Sequence, residues 1–192
     1  GIYVSGSDSN TVTQSYMWGS LYGAHLLTGS DYNDIGLSTM IGNTNYGLYA
    51  SASDWNAVTQ SYLWGGQNGA NLNTGSDYNV ISLSTMTSNV VNFSGLYLFQ
   101  GSSNTILDSY VQGSTAALIS GSTGTVIGGS VLVAPNTAGA ALAVSNGSVN
   151  LRVSSSALTA FMGTAGGAPL YMGRGNKGWL VFSTNTLSGG KY

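Results

Sequence analysis

The residues with the clearest capacity for chemistry are four aspartates that recur every 23 residues. Each stands in an S-D-x-N tetrapeptide, at Asp8, Asp31, Asp54 and Asp77. If each interval forms one coil, the carboxylates stack at about the spacing of adjacent β-strands, ~4.8 Å. Stacked carboxylates repel one another unless they are solvated or bridged by a hard cation such as calcium. Aspartate also stabilises turns by accepting backbone hydrogen bonds, and we expect this turn role and no metal site.

Other catalytic patterns are weak. The only histidine, His25, aligns with Asn71 one 46-residue repeat later, which favours an outward polar position over a general base. The aspartates have surroundings too similar for a glycosidase pair of one acid and one base. The segment "GRGNKG" at 173–178 fails the phosphate-loop spacing. We therefore predict no catalytic residue, no cofactor and no enzymatic activity.

Charge is scarce and unevenly placed along the chain. Only 5% of the 192 residues are charged and there is no cysteine. All six acids lie at or before Asp108, and all four bases lie at or after Arg152. Because no basic patch accompanies the aromatic residues, a nucleic-acid partner is not expected. No apolar run is long enough to span a membrane.

The elements that must position these residues are repeats. The stretch "SDSNTVTQSYMWG" (7–19) returns as "SDWNAVTQSYLWG" (53–65), and residues 1–46 align without gaps on 47–92. A 23-residue half-period lies inside each long repeat. It places an aliphatic residue, a serine and a large apolar residue at fixed spacing, as in Val12/Ser15/Met17, Ile35/Ser38/Met40, Val58/Ser61/Leu63 and Ile81/Ser84/Met86, and then less clearly in Ile106/Ser109/Val111, Val126/Gly129/Val131 and Leu151/Ser154/Ser156.

A period of 23 residues is too short for a propeller blade or an ankyrin unit but suits a coil of three short strands. Apolar residues alternate with polar ones and never recur at helical spacing. We predict that Val12, Ile35, Val58 and Ile81 form one inward column, and that Met17, Met40, Leu63 and Met86 form another, in about seven coils. The serine suits a tight corner, and the asparagine before the aliphatic residue suits a left-handed backbone.

These motifs resemble a known architecture. The pattern N-x-[VI]-x-x-S-x-[ML], with "GSSNTILDSYVQG" and "STGTVIGGSV" as variants, is similar to the right-handed parallel β-helix repeat of pectate-lyase-like and tailspike-like proteins. The resemblance covers residues 1 to about 159 and implies an all-β solenoid. It implies no particular activity, because this fold carries lyases, hydrolases, adhesins and stalks. The cationic partner of a pectate-lyase site is absent from residues 1–151, so no family catalytic residue is carried over.

Aromatic residues flank the inward column. If Met17 points inward, Tyr16 and Trp18 point outward, and Tyr62 and Trp64 repeat them two coils later. Exposed aromatic residues in register favour a partner site. Another subunit, a glycan, or cover by the chain's own C-terminal segment all fit this strip.

The two termini suggest assembly. The chain opens inside a coil, at Gly1, Ile2 and Tyr3, where an uncapped solenoid end exposes strand edges. Residues 160–192 break the pattern and are predicted to form a C-terminal cap, hairpin or docking segment, with Arg174, Lys177 and Trp179 as contact residues. The acidic first part and basic last part favour head-to-tail stacking, which generates filaments when it does not close.

The sequence therefore predicts two domains of structure, 1–159 and 160–192, and three candidate functions. The first is a non-enzymatic structural subunit of an extracellular filament or cell-surface layer, with the chain itself as partner. The second is a glycan- or host-binding module of the adhesin or tailspike kind. The third, less favoured, is a polysaccharide-active enzyme.

Overall fold

The computed structural model describes residues 1–135, 139–160 and 168–189. All regular elements in these residues are β-strands, and they wind into a right-handed parallel β-helix, as the repeat predicts. No helix in the described part is long and apolar enough to cross a membrane.

Three parallel sheets of eight strands each form the walls. Sheet A contains β1 (Ile2–Ser5), β4 (Tyr22–Leu27), β7 (Tyr46–Ser51), β10 (Ala70–Leu72), β13 (Ser94–Phe99), β16 (Thr115–Ser120), β19 (Ala140–Ser145) and β22 (Ala168–Met172). Sheet B contains β2 (Thr11–Thr13), β5 (Asp34–Gly36), β8 (Ala57–Thr59), β11 (Val80–Ser82), β14 (Thr105–Leu107), β17 (Val126–Gly128), β20 (Val149–Ser154) and β23 (Lys177–Ser183). Sheet C contains β3 (Tyr16–Gly19), β6 (Thr39–Gly42), β9 (Tyr62–Gly65), β12 (Thr85–Thr87), β15 (Tyr110–Gln112), β18 (Val131–Ala134), β21 (Ala157–Ala160) and β24 (Thr186–Ser188).

One strand from each sheet makes a rung, so that β1, β2 and β3 form rung one. Eight strands per sheet correspond to about seven turns from β1 to β22, which confirms the predicted number. The predicted columns are also confirmed. Val12 pairs with Ile35, Ile35 with Val58 and Val58 with Ile81 in sheet B. In sheet C the column runs through Met17, Met40, Leu63 and Met86.

The core is continuous along the axis because each rung buries its apolar residues only against the rungs above and below. Sheet A supplies two further columns that the sequence pattern did not single out. Members of these columns are fully buried, among them Ala24, Leu48, Leu72, Leu98 and Ile119.

Single residues in the left-handed backbone region make the corners. Between sheets B and C, this residue is Gln14, Leu37, Gln60 or Leu83, with φ near +50° in each. In the S-D-x-N turns it is the residue before the asparagine, such as Tyr32 or Trp55, both at φ 57°. The expected left-handed asparagine is therefore wrong. Its side chain instead faces the interior, where it bonds the next rung.

Sheets A and C approach closely at a column of glycines. A Cβ atom on Gly47 would lie 2.7 Å from the Trp64 nitrogen, and one on Gly69 would lie 2.5 Å from the Thr87 nitrogen. Real Cβ atoms do not come so near to backbone, so only glycine permits this corner.

The predicted C-terminal segment contributes three strands in its described part. They are β22, β23 and β24, which extend sheets A, B and C in parallel. The pairing of β20 with β23 contains a register shift between Val149 and Leu151. The boundary at residue 159 stays a prediction.

Candidate functional site

The aspartate column lies on the outside of the S-D-x-N turns. The backbone amide of Asp31 donates to Oδ1 of Asp8 at 3.0 Å, and the amide of Asp54 donates to Oδ1 of Asp31 at 2.7 Å. The same bond joins Asp77 to Asp54, at 2.7 Å, and Ser102 to Asp77, at 2.6 Å. Each carboxylate thus accepts a backbone hydrogen bond from the following rung and serves the turn. Among the described residues, no group of three histidine, cysteine or acidic side chains is arranged to hold a metal ion.

The middle of this column is electrostatically strained. Burial raises the pKa of the Asp54 carboxyl, and the charges of Asp77 and Asp31 raise it further, while the Asp77 amide opposes the shift. Asp54 therefore holds its negative charge less readily than an isolated aspartate does.

Beside the aspartates stands a short stack of aromatic rings. Tyr32, Trp55 and Tyr78 occupy the x position of successive turns. The Trp55 and Tyr78 rings are 4.3 Å apart and almost parallel, at 4°, and Tyr32 stacks on Trp55 at 6.2 Å. Because the rings cover one another's faces, this stack stabilises the turns and offers a ligand mainly ring edges.

The predicted aromatic strip lies on the outer face of sheet C. We define the strip as the outward positions of β3, β6, β9, β12 and β15. Tyr16 and Trp18 are 70% and 54% exposed, and Tyr62, two rungs further, is 41% exposed. Trp64 is half-buried beside Tyr62. The described strands of the C-terminal segment extend the sheets at their far end and do not cover this strip.

Polar side chains border the strip. A shallow groove of about 580 Å³ runs beside it, lined by Leu37, Gln60 and Leu83 at the corners and by Thr39 and Tyr62 on sheet C. The Thr87 hydroxyl donates to the Tyr62 hydroxyl at 3.2 Å. On the next rung, the Tyr110 hydroxyl donates to Gln112 Oε1 at 2.7 Å. The groove thus combines apolar faces with amide and hydroxyl groups.

A second aromatic cluster lies on the outer face of sheet A. The His25 ring is 4.3 Å from the Tyr22 ring, 4.9 Å from Tyr49 and 5.2 Å from Tyr3. Burial lowers the pKa of the His25 imidazole, and Nε2 finds no hydrogen-bond partner among the described residues. Burial also raises the pKa of the Tyr46 phenol, which the neighbouring Asn71 side chain opposes.

Sequence reasoning placed His25 on the outside but missed its tyrosine neighbours. Tyr22 and His25 are three residues apart, as are Tyr46 and Tyr49, so the repeated Y-G-x-[HY] spacing was the available signal. Strict alternation puts such residues on opposite faces, and the two buried residues between them, in the glycine corner, bring them together.

The predicted end-contact residues lie far apart. Ile2 and Tyr3 belong to β1, at one edge of sheet A, and the Gly1 amino group donates to the Trp18 carbonyl. Lys177 and Trp179 belong to β23, at the opposite edge of sheet B, and Arg174 lies just before that strand. One chain does not bring the two groups together, and their role as contacts stays a prediction.

Three solved structures resemble the chain. The periplasmic alginate epimerase AlgG matches with a TM-score of 0.75 and 11% identity, over 96% of this chain and 47% of the epimerase. The alginate lyase from Paenibacillus sp. str. FPU-7 matches with a TM-score of 0.58 and 12% identity, over 88% of this chain and 74% of the lyase. DFA-IIIase from Arthrobacter chlorophenolicus A6 matches with a TM-score of 0.53 and 10% identity, over 83% of this chain and 47% of that enzyme.

These matches show a shared fold and correct one expectation. All three solved structures are enzymes, so the prediction that this chain is not an enzyme is wrong. Scarce charge and the missing cationic partner argued only against one kind of pectate-lyase site. The chain spans about half the length of the epimerase.

No curated protein sequence matches the chain. A family model described as "Periplasmic copper-binding protein (NosD)" matches residues 1–126, which include the regular 23-residue rungs and most of both aromatic surfaces. Since this match covers well over half of the sequence, the chain belongs to the NosD family of parallel β-helix proteins.

Proposed function

We propose that the chain binds a neutral polysaccharide on the outer face of sheet C. The observation that carries the proposal is the aromatic strip itself: large exposed rings in register on a face without charge. From β3 to β24, none of the outward side chains of sheet C that the structure describes is charged.

The chemistry of the strip suits sugar rings. Aromatic rings such as Tyr16 and Trp18 present broad apolar surfaces with a polar edge, which complement the C–H faces of a pyranose. Gln60 and Thr39, in the groove beside them, can exchange hydrogen bonds with sugar hydroxyls. Apolar surface with a few placed polar groups is the usual composition of a small-molecule site.

The charge distribution favours a neutral ligand over a polyuronate. The six acids belong to the rungs that carry the strip, and the four bases follow residue 151. A chain of carboxylates laid along rungs one to five would meet like charge and no counter-charge. Alginate, which the names of two structural relatives mention, is such a polyanion.

The location follows from the same relatives. The matched family and the epimerase are both described as periplasmic. Polysaccharide binding places the chain outside the cytoplasm, and a position at the cell surface is part of this proposal.

Copper, which the family description names, does not fit the donor set of this chain. Copper sites in proteins are built from thiolate, thioether and imidazole ligands. The sequence has no cysteine and a single histidine. Met17, Met40 and Met86 are buried in the core column of sheet C, and the His25 ring is enclosed by tyrosines on sheet A. These donors cannot reach one ion.

The test is retention on insoluble neutral polysaccharides. The double variant Trp18→Ala/Trp64→Ala should lose most of the retained protein. Trp179→Ala is the matched control, since Trp179 is as exposed as Trp18, at 55%, but lies on sheet B. Equal retention of the double variant and the parent, or retention of neither, contradicts the proposal.

End-to-end self-association is a second candidate function. The separation of charge favours it, because acids occupy the first rungs while Arg152, Arg174 and Lys177 lie in the last two. Stacked chains would then bring unlike charges together. Negative-stain microscopy and light scattering at low and high salt test this: particles that lengthen at low salt and shorten in Arg174→Glu/Lys177→Glu support it, and a salt-independent monomer contradicts it.

A further inference from the structure

The aromatic residues of the strip occupy alternate rungs. One column reads Tyr16, Thr39, Tyr62, Thr85 and Tyr110, and the other reads Trp18, Ile41, Trp64, Thr87 and Gln112, with each residue paired in register to the next. Neighbouring rungs are about 4.8 Å apart, so successive aromatic rungs are separated by about 10 Å. The rings are therefore too far apart to stack on one another, unlike Tyr32, Trp55 and Tyr78 in the turns.

This spacing leaves a slot between one aromatic rung and the next. The slot between Tyr16 and Tyr62 has Thr39 as its floor, and Thr85 occupies the same position between Tyr62 and Tyr110. The surface is thus a ruler with a two-rung period along the helix axis. A ligand that uses every mark must itself be extended and repeat at the same distance.

An extended β-1,4-linked glycan meets that condition. In its twofold form, every second sugar turns the same face to one side, and the disaccharide repeat is close to two rung spacings. Glycans that coil, such as α-1,4- or β-1,3-linked glucans, turn successive faces away from a flat surface. We propose that the strip binds a neutral, twofold extended β-1,4-linked glycan that runs parallel to the solenoid axis, with one disaccharide for every two rungs.

The inference rests on the proposed function and adds the ligand's geometry to it. Charge complementarity supports it, because the strip is uncharged and such glycans can be neutral. The polar groups are placed for hydroxyls: Thr39 and Thr85 in the slots, and Gln112 at the fifth rung. From rung one to rung five the strip extends about 20 Å, so a hexasaccharide is long enough to cover it.

The experiment compares four hexasaccharides of equal length by isothermal titration calorimetry. Cellohexaose and chitohexaose are the extended ligands, and maltohexaose and laminarihexaose are the coiled ones. We expect at least tenfold tighter binding of one or both extended ligands. Binding of coiled and extended ligands with equal affinity overturns the inference but leaves the proposed function standing. Failure of all four to bind contradicts both.

A register variant tests the ruler with no change in composition. T39Y/I41W/Y62T/W64I moves the second aromatic pair from two rungs to one rung from Tyr16 and Trp18. We expect a tenfold or greater loss of affinity for the extended hexasaccharide. Unchanged affinity in the folded variant overturns the inference.

Two further measurements keep the result interpretable. Should the fourfold variant not fold by circular dichroism, Ile41→Trp alone fills the first slot, and it should weaken the same ligand at least threefold, with unchanged affinity counting against the inference. Light scattering reports the competing occupant: a dimer that disappears in Trp18→Ala and is unaffected by glycan shows that a second copy covers the strip, which also overturns it.

Discussion

At the scale of single residues, the aspartate column joins a favourable hydrogen bond to an unfavourable charge. Oδ1 of Asp54 accepts the Asp77 amide, while burial and the neighbouring carboxylates raise the pKa of Asp54 above its ordinary 3.8. A raised pKa means that the folded state binds the proton more tightly than the unfolded state. Stability therefore falls as pH rises through the folded-state pKa, and at neutral pH the charge opposes folding.

This balance predicts opposite effects for two substitutions of Asp54. Asp54→Asn keeps an oxygen to accept the Asp77 amide and removes the charge, so it should leave the free energy of unfolding at pH 7 equal or raise it. Asp54→Ala removes the acceptor and should cost about 1 kcal/mol. Urea denaturation at pH 7 measures both values. If both variants lose stability equally, a cation that bridges the carboxylates is indicated.

His25 carries the opposite pH dependence. Burial lowers its pKa below the ordinary 6.5, so the folded state resists protonation. Stability should fall as pH drops from about 6.5 toward the lowered pKa, and should be fully present above 6.5. Thermal unfolding between pH 5 and 7 should show this slope in the parent chain and a flatter one in His25→Asn. Identical slopes in the two proteins contradict the assignment.

The sequence predicts the outward aromatic residues better than it predicts the His25 cluster. Tyr16 and Trp18 follow from alternation around Met17, and alternation holds along β3. Tyr22 and His25 meet because Gly23 and Ala24, both buried, stand between them where sheets A and C nearly touch. That approach is a tertiary property and leaves no period in the sequence.

At the scale of elements, buried asparagines tie each S-D-x-N turn to the next. The Asn33 amide nitrogen and side-chain Nδ2 both donate to Oδ1 of Asn56, at 2.8 and 2.9 Å. Asn56 donates in the same way to Asn79, at 2.8 and 3.1 Å. This side-chain ladder satisfies polar groups where the chain leaves the regular strands, as buried donors require.

Asn56→Ala should therefore be strongly destabilising. It leaves two buried donors of Asn33 without their acceptor, and we expect a loss of about 3 kcal/mol in the free energy of unfolding. Asn10→Ala is the matched control at the exposed first rung, where the side chain only donates, to Ser7 and Asn33, and it should cost less than about 1 kcal/mol. Chemical denaturation distinguishes the two. Similar losses would mean that the ladder contributes little.

Element positions follow from the sequence only while the connections keep their length. The first four units were placed correctly because Val12, Ile35, Val58 and Ile81 are separated by 23 residues each. The seventh was expected at Leu151/Ser154/Ser156, but the structure pairs Ile127 with Val153 and Leu132 with Leu158. A longer connection after β18 shifts the register by two residues, and nothing in the local pattern reports how long a connection is.

At the scale of the whole molecule, the solenoid has no single centre. Each rung contacts only its neighbours, so stability is close to a sum of rung and interface terms. The core side chains of the middle rungs, such as Leu63, Leu98 and Leu132, are fully buried. Those of the outermost rungs, such as Val12 in β2 and Phe182 in β23, are only partly buried against the core.

Amide hydrogen exchange should follow this gradient along the axis. The backbone amides of β8, β11 and β14 lie in the middle of sheet B and should exchange slowest, while those of β2 and β23 at its two edges should exchange fastest, since opening a terminal rung exposes only one interface. Mass spectrometry of the exchanging chain resolves these segments. Asn56→Ala should then accelerate exchange in rungs two to four and leave rungs six and seven near their parent rates, because coupling passes only through adjacent interfaces. Uniform protection from β2 to β23, or a uniform response to Asn56→Ala, would mean that the rungs open as one cooperative unit.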